Sequence, residues 1–369
     1  MIRINGRAPL CPVNRKGKDM KEIRIGLAGL GFMGSTHYRI YSELPGCRVV
    51  AVADVDAAKR TGDISRVVGN IGNYDNSVPF DFSKVKTYET AEAMIAAGGI
   101  DMIDICVPTP YHKEIILAAL GAGLHVFSEK PLCRNLEQMR EIEAAVKKSG
   151  KFFNVGMCIR AWPEYHHAAT MFKAGKFGKL YSADFRRLSP TVDGNAWRNW
   201  FANGDLAGGA LLDLHLHDCD AVRYFFGRPK AVTTFGVKNV WNKQGAYDQV
   251  VTDYDFGDGS LVTAQGGWCA NKSVPFEMSF QLICEKATVR MMSEGYKIYW
   301  NDGSVETPEV ADAKLPTGWH QELNYFVNCV RDGVTPDKYQ KLGEVVDSFR
   351  MIMAEEESAN AKKTVTIQY

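Results

Sequence analysis

The stretch IRIGLAGLGFMG, Ile23 to Gly34, joins a short apolar run to a glycine turn and then to the start of a helix. Ile23 to Gly29 reads as a fully buried strand, and Gly29, Gly31 and Gly34 supply the spacing GxGxxG. Each glycine answers a separate physical need. Gly29 permits the tight turn, Gly31 lets the backbone approach a diphosphate, and Gly34 lets the helix pack close to the strand. The free N–H groups along Gly29, Leu30, Gly31, Phe32, Met33 and Gly34, with the helix dipole behind them, make a site for that diphosphate. A second apolar run, CRVVAVAD, ends in Asp54 about twenty residues past the last glycine, where a carboxylate accepts hydrogen bonds from a ribose 2′-hydroxyl. Strand, turn, helix and acid in this order predict a dinucleotide site. A tight turn followed by a solvated aspartate is the competing structural reading.

Outward from this stretch to about Met157, short apolar runs alternate with helical patterns, the signature of a parallel sheet with crossover helices. The strands are IRIGLAG, RVVAVAD, DMIDICV, HVFSEK and KFFNVGM, with helices near Thr36, Ala57, Ala91, Lys113 and Leu136. Gly46 and Gly150 fall where a helix gives way to the next strand. This half is a doubly wound Rossmann domain of the α/β class.

From about Arg160 the texture changes. An amphipathic helix, Glu164 to Lys176, and the strand LYSADFRRL lead to a loop rich in Trp, Asn and Gly, then a helix, then several strands in succession. In FEMSFQL, Phe276, Met278, Phe280 and Leu282 alternate with polar residues, so one sheet face is buried. FGDGS, Phe256 to Ser260, reads as a hairpin turn. This half is expected to be α+β with a mostly antiparallel sheet. The stripes Leu323, Phe326, Val327, Val330 and Val345, Phe349, Ile352 are helix core faces, and the last helix is able to return onto the first domain.

Composition narrows the function classes. The 369 residues are 46% hydrophobic, enough for about two domains, and the formal net charge of +1 argues against a nucleic-acid or anionic-membrane partner. Nine cysteines without paired metal spacing fit reduced thiols and a cytoplasmic setting. Residues 1–21 are polar and basic, too poor in apolar residues for a secretion signal, and read as a disordered extension with Met20 as an alternative start. No run reaches the ~18 apolar residues that span a bilayer.

Two stretches hold the chemistry. HVFSEKP ends a parallel strand with Glu129, Lys130 and Pro131, at the carboxyl edge where open α/β sheets bind ligands. A lysine there donates to a substrate oxygen, and the alternative is a surface lysine in a turn. In GGALLDLHLHDCDAVRYFFG, Gly208 to Gly227, Asp213 and His217 are four residues apart, roughly 40° round a helix, so they share a face. An aspartate so placed orients the ring and favours its protonated form, the arrangement of a general base taking a hydroxyl proton; a structural contact is the competing reading. His215 lies roughly 200° from His217 on a helix, so the two do not chelate one ion, and no metal is expected. A substrate contact from His215 stays open.

Taken together, the GxGxxG turn, Glu129-Lys130-Pro131 and GGALLDLHLHD resemble the glucose–fructose oxidoreductase/inositol dehydrogenase/MocA family from Lys21 to the C-terminus, including the closing EL..F helix and the final strand TVTI. The resemblance implies a Rossmann domain over 22–157. It also implies a substrate-binding domain over 158–369 whose large, mostly antiparallel sheet, flanked by helices, often mediates homo-oligomers, dimers or tetramers. It implies a catalytic lysine at Lys130 and a catalytic aspartate and histidine at Asp213 and His217. DICVPTPYH resembles a cofactor-contacting segment, with Pro108, Thr109 and His112 as candidates against a plain helix-starting turn; Tyr111 stands where relatives often have a small polar residue. Glu129 joins the cofactor set. Trp197 and Arg198 resemble a cofactor-covering pair, with a structural ion pair as the alternative, and Arg160 matches an arginine near the cleft. His215 replaces a small residue common in relatives.

Asp54 repels a 2′-phosphate, so NAD(H) is favoured, with NADP left open by Lys59 and Arg60 further along. The expected activity is hydride transfer between nicotinamide and a secondary alcohol or ketone of a sugar, sugar derivative or cyclitol. The alternatives are an NAD-dependent glycosidase acting by transient oxidation and a non-catalytic dinucleotide-binding regulator, and the presence of Lys130, Asp213 and His217 weighs against the latter.

Overall fold

The computed structural model describes residues 21–69, 75–190, 200, 203–240, 245–310 and 312–369. Among these residues six parallel strands carry the first half: β1 (Ile23–Ala28), β2 (Cys47–Ala53), β3 (Lys86–Tyr88), β4 (Met102–Ile105), β5 (His125–Ser128) and β6 (Phe153–Val155). They lie side by side in the order β3-β2-β1-β4-β5-β6, so the strand order reverses between β1 and β4, and a crevice opens beyond their carboxyl ends. Helices cover the sheet, which is why β4 is buried along its whole length. The helix Leu136–Ser149 shows why such crossovers start and stop where they do: the Asn135 side chain accepts from Gln138 N, and Gly150 ends the helix in the left-handed conformation at φ 65°. Sequence periodicity locates five of these strands but misses β3, whose Lys86 and Thr87 are exposed at the sheet edge.

Among the described residues the second half is built on nine strands: β7 (Leu180–Pro190), β8 (Ala231–Lys238), β9 (Tyr247–Asp255), β10 (Leu261–Ala270), β11 (Glu277–Cys284), β12 (Ala287–Met292), β13 (Gly295–Trp300), β14 (Val305–Glu306) and β15 (Val365–Thr366). Their order is β14-β13-β12-β11-β7-β10-β9-β8-β15, antiparallel except where β7 meets β10. One face packs on helices Leu216–Phe226 and Leu342–Ala361. There Phe185 and Phe280 pair across strands β7 and β11, and the rings of Tyr165 and Phe225 close around them. FGDGS does turn β9 into β10, with the Asp258 carboxylate accepting from Ser260 N–H.

The halves share one apolar core. Helix Gly318–Asp332 returns from the second half to pack on helix Phe32–Glu43 and β1, with Phe326 against Phe127, and helix Leu342–Ala361 touches Leu136–Ser149. Among the described residues no helix is long and apolar enough to cross a membrane.

Candidate active site

At the crevice, the glycine turn is shaped by what a side chain would meet. Gly29 has φ +91°, and a Cβ there would lie 2.6 Å from the Cys106 carbonyl oxygen; at Gly34 it would collide with the Gly29 carbonyl. At Gly31 a Cβ meets nothing within 4 Å, and Gly31, the residue that begins the helix, has no side chain with which to cap it. The turn therefore presents open space and free helix N–H groups together, which fits a dinucleotide diphosphate. Leu30 is buried and takes part through its backbone: its N–H donates to Asp54 Oδ2 at 2.7 Å. Asp54 Oδ1 accepts from Asp56 N–H at 2.8 Å, and Lys59 Nζ stands 3.9 Å from Oδ2. Arg60 points back to the Asp54 and Val55 carbonyls.

Lys130 follows β5 and reaches across to the second half. Its Nζ donates to the Asp213 carbonyl oxygen at 2.7 Å and lies 3.4 Å from Asp213 Oδ1. Asp213 sits in a π-helical turn, Leu211–His215, that runs directly into helix Leu216–Phe226. Two left-handed glycines, Gly208 and Gly209, precede the turn, and a Cβ at Gly209 would press on Ala246 and Tyr247 of the sheet side. The simple helix read from the sequence is thus widened here, and Asp213 makes no hydrogen bond to His217. Its partner is Lys130.

His217 is likewise different from the sequence expectation. Burial first, then the charges of Lys130 and Arg187, hold its pKa well below the usual histidine range, so the ring is neutral rather than favoured as a cation. Its Nδ1 is enclosed without a hydrogen-bond partner, which leaves Nε2 as the nitrogen that meets the cleft. A neutral ring with an open nitrogen is suited to accept a proton.

Other residues singled out in the sequence are placed elsewhere. Arg160 has no exposed surface: it pairs with both oxygens of Asp220 at 2.8 Å and also donates to Glu344 and the Tyr339 carbonyl, so it braces the fold and does not face a substrate. His215 is equally buried, its Nε2 2.9 Å from Glu355 Oε2, an acid that also accepts from Thr252 and Tyr254; it too is withdrawn from substrate. His112 is buried, donates from Nε2 to the Val107 carbonyl at 2.7 Å and shapes the turn after β4 from inside. Pro108 and a buried Thr109 form that turn, beside the backbone that Gly29 approaches. Glu129 is turned inward, where Oε2 accepts from Lys130 N–H at 3.1 Å. Phe32 and Met33 are half-buried in the first turn of the helix, and Trp197 and Arg198 lie outside the described residues.

Sequence reasoning passed over two sets of groups around this site. Arg187, on β7, pairs with Asp218 beneath His217. His37 and Asp104 form a buried pair under the glycine turn, with His37 Nδ1 donating to Asp104 Oδ2 at 2.8 Å. An acid inside the apolar run DMIDICV was the one signal for the second set, because a buried carboxylate needs a partner.

Comparison with known proteins agrees with this architecture. Residues 23–157 match the family described as "Oxidoreductase family, NAD-binding Rossmann fold", and residues 165–290 match its "GFO/IDH/MocA C-terminal domain". The chain is 26% identical to a scyllo-inositol 2-dehydrogenase (NAD(+)) of Bacillus subtilis, covering 85% of this chain and 88% of the relative. It is 23% identical to an inositol 2-dehydrogenase of Corynebacterium glutamicum, covering 85% and 87%. Among solved structures, scyllo-inositol dehydrogenase from Lactobacillus casei with bound NAD(H) and scyllo-inositol superposes with a TM-score of 0.75 at 21% identity, covering 94% of this chain and 99% of that one. With both halves matched in order, and the glycine turn and the Lys130 crossing already in place, the chain belongs to the GFO/IDH/MocA family of NAD-binding oxidoreductases.

Proposed function

We propose that this chain is an NAD(H)-dependent dehydrogenase of a cyclitol or closely related sugar hydroxyl, with Lys130, Asp213 and His217 as its working residues. The observation that carries the proposal is the crossing of Lys130 from the nucleotide half to Asp213 in the other half, beside a neutral His217. When bound, the nicotinamide supplies the acceptor for the hydride. The glycine turn would hold its diphosphate, and Asp54 the adenosine ribose. Lys130 has three N–H donors, two of them directed at Asp213, and the third is free to polarise the substrate oxygen. His217 Nε2 takes the hydroxyl proton as the carbonyl forms, and gives it back in reduction. Asp213 holds the amine in place and does not act on the imidazole.

The fit of the cofactor to NAD(H) rather than NADP rests on Asp54, whose carboxylate would repel a 2′-phosphate and has Lys59 beside it as its own counter-charge. The inositol dehydrogenases among the relatives support a cyclitol as substrate. A homo-oligomer is supported by the outer face of the nine-stranded sheet. There Phe235 pairs with Val251, and Leu261 and Ile283 both lie opposite Ser182, all four apolar residues exposed. A cytoplasmic setting is supported by the eight described cysteines, all free thiols.

The test is a panel of inositols, sugars and sugar acids, each with NAD and with NADP, followed by absorbance of the reduced cofactor. Substrate-dependent NADH formation with an inositol is the expected result. Cleavage of an aryl glycoside without accumulation of NADH, or tight NADH binding with no turnover on any alcohol, would overturn it.

A further inference from the structure

His37 lies on the helix that starts at the glycine turn, yet its side chain faces away from the crevice and into the sheet, fully buried. Its two ring nitrogens meet acids from different strands. Nδ1 donates to Asp104 Oδ2 on β4 at 2.8 Å, and Nε2 stands 3.3 Å from Glu129 Oε1, just past β5, in ion-pair contact without hydrogen-bond geometry. Around it stand Tyr41, whose hydroxyl donates to the same Asp104 oxygen, Cys106, whose thiol donates to Asp104 Oδ1, and the edge of Phe127. From the returning helix Gly318–Asp332 comes Glu322, also buried, whose carboxyl is pushed well above the usual range by burial and by Glu129. That acid is therefore neutral and does not compete for the charge of His37.

The consequence falls on Lys130. The ladder makes its last bond from Glu129 N–H to the Ile105 carbonyl, and Pro131, which follows Lys130, has no N–H. The Lys130 N–H finds its acceptor in the Glu129 carboxylate, at 3.1 Å. That carboxylate occupies a space kept open by Gly156, where a Cβ would lie 2.6 Å from Oε1. A buried carboxylate stays in such a place only with a counter-charge beside it.

We propose that His37 is a positioning residue for Lys130: clamped between Asp104 and Glu129, its imidazole fixes the Glu129–Lys130 turn and so the direction in which the Lys130 amine leaves the sheet. Burial works against a charged imidazole, but the Asp104 carboxylate, which accepts from Nδ1, outweighs it and holds the pKa of His37 well above the usual histidine range, as the clamp requires. Because the same helix presents its first N–H groups to the dinucleotide, His37 also ties the cofactor site to the catalytic lysine by a rigid element.

The inference rests on the role given to Lys130 above, and two readouts separate the two. In the first, His37→Gln is made in the full-length protein and in Lys130→Met. In the wild-type background kcat is expected to fall about tenfold with the Kd for NADH within about twofold, and in the Lys130→Met background the same change adds less than about twofold. Equal losses in both backgrounds, or an unchanged kcat, would overturn the proposal. The second readout needs no substrate: labelling of Lys130 by an amine-reactive ester, resolved by peptide mass spectrometry, is expected to change severalfold in His37→Gln while the exposed Lys147 keeps its rate. Unaltered Lys130 labelling in the folded variant overturns the positioning role even if the dehydrogenase reading fails. Should His37→Gln not fold, Glu129→Gln keeps the shape, removes the charge that His37 holds, and runs the same two arms with the same expected and refuting results.

Discussion

Alanine at Gly31 and alanine at Gly34 are expected to fail in different ways, although the two positions belong to one turn. A Cβ at Gly34 meets the Gly29 carbonyl oxygen well inside van der Waals contact and lies 3.4 Å from Cys106 Cβ, so relief requires the helix Phe32–Glu43 to back away from β1. Overpacking of this kind costs about 1–3 kcal/mol. Alanine regains up to about 1 kcal/mol over glycine inside a helix. Because the Gly34 contact is with backbone, which yields little, the upper part of the range applies and the net loss is about 2 kcal/mol. For a chain of this length that lowers the thermal midpoint by roughly 2–4 °C. At Gly31 the backbone has φ −76° and ψ −163°, which alanine adopts without strain, and its Cβ meets nothing within 4 Å. Gly31→Ala is therefore expected to melt with the wild type. Its methyl group, however, fills the open space assigned to the diphosphate, and the Kd for NADH should rise at least about tenfold, or ~1.4 kcal/mol. Thermal unfolding by circular dichroism and fluorescence titration with NADH measure the two effects separately. A Gly31→Ala protein that binds NADH normally would remove the diphosphate from this turn, and a Gly34→Ala protein that melts unchanged would refute the packing argument.

Three further outcomes follow from the same geometry. His217→Gln should lower kcat by about 10²–10⁴-fold while leaving the Kd for NADH within about twofold, and normal turnover would remove the ring from the reaction. In wild-type protein the His217 C2–H resonance should titrate well below pH 6.5, because burial, Lys130 and Arg187 disfavour the cation, and Lys130→Met should move that titration upward; an unmoved curve would mean the amine does not act on the ring. Arg160→Met leaves Asp220 buried and unpaired and should cost about 3–5 kcal/mol in denaturant unfolding with little change in KM for the alcohol, whereas a raised KM at full stability would return Arg160 to the substrate site.

How much of this could be read beforehand depended on whether the relevant physics was local. The turn from Gly29 to Gly34 and Asp54 were legible because spacing along one βαβ unit fixes them. β3 was not, since a three-residue edge strand carries no apolar period. Asp213 and His217 lie where the sequence put them, but their relation to each other does not survive, because a π-turn depends on the two glycines before it and on the sheet packed beneath it. Arg160 and His215 show the same limit. Each looks functional as an isolated polar residue beside the site, and only acids distant in sequence turn it into a buried strut: Asp220 and Glu344 for Arg160, Glu355 for His215. His37 erred in the opposite sense: it read as an unremarked helix residue because both of its acids arrive from other strands.

The placement of one charge links these points. An ammonium at Lys130 is required, in the proposed reaction, to draw electron density from the substrate oxygen, and the same charge helps keep His217 neutral and hence able to accept a proton. The two effects share a sign: moving the amine away weakens the polarisation of the alcohol and at the same time relieves the repulsion that keeps the imidazole unprotonated. A site of this kind tolerates little drift of the lysine, which accounts for its being held at both ends, by Asp213 at the amine and by Glu129 at the backbone N–H. Each hold comes from a different half of the chain, so the amine is correctly aimed only when the halves are docked as they are here.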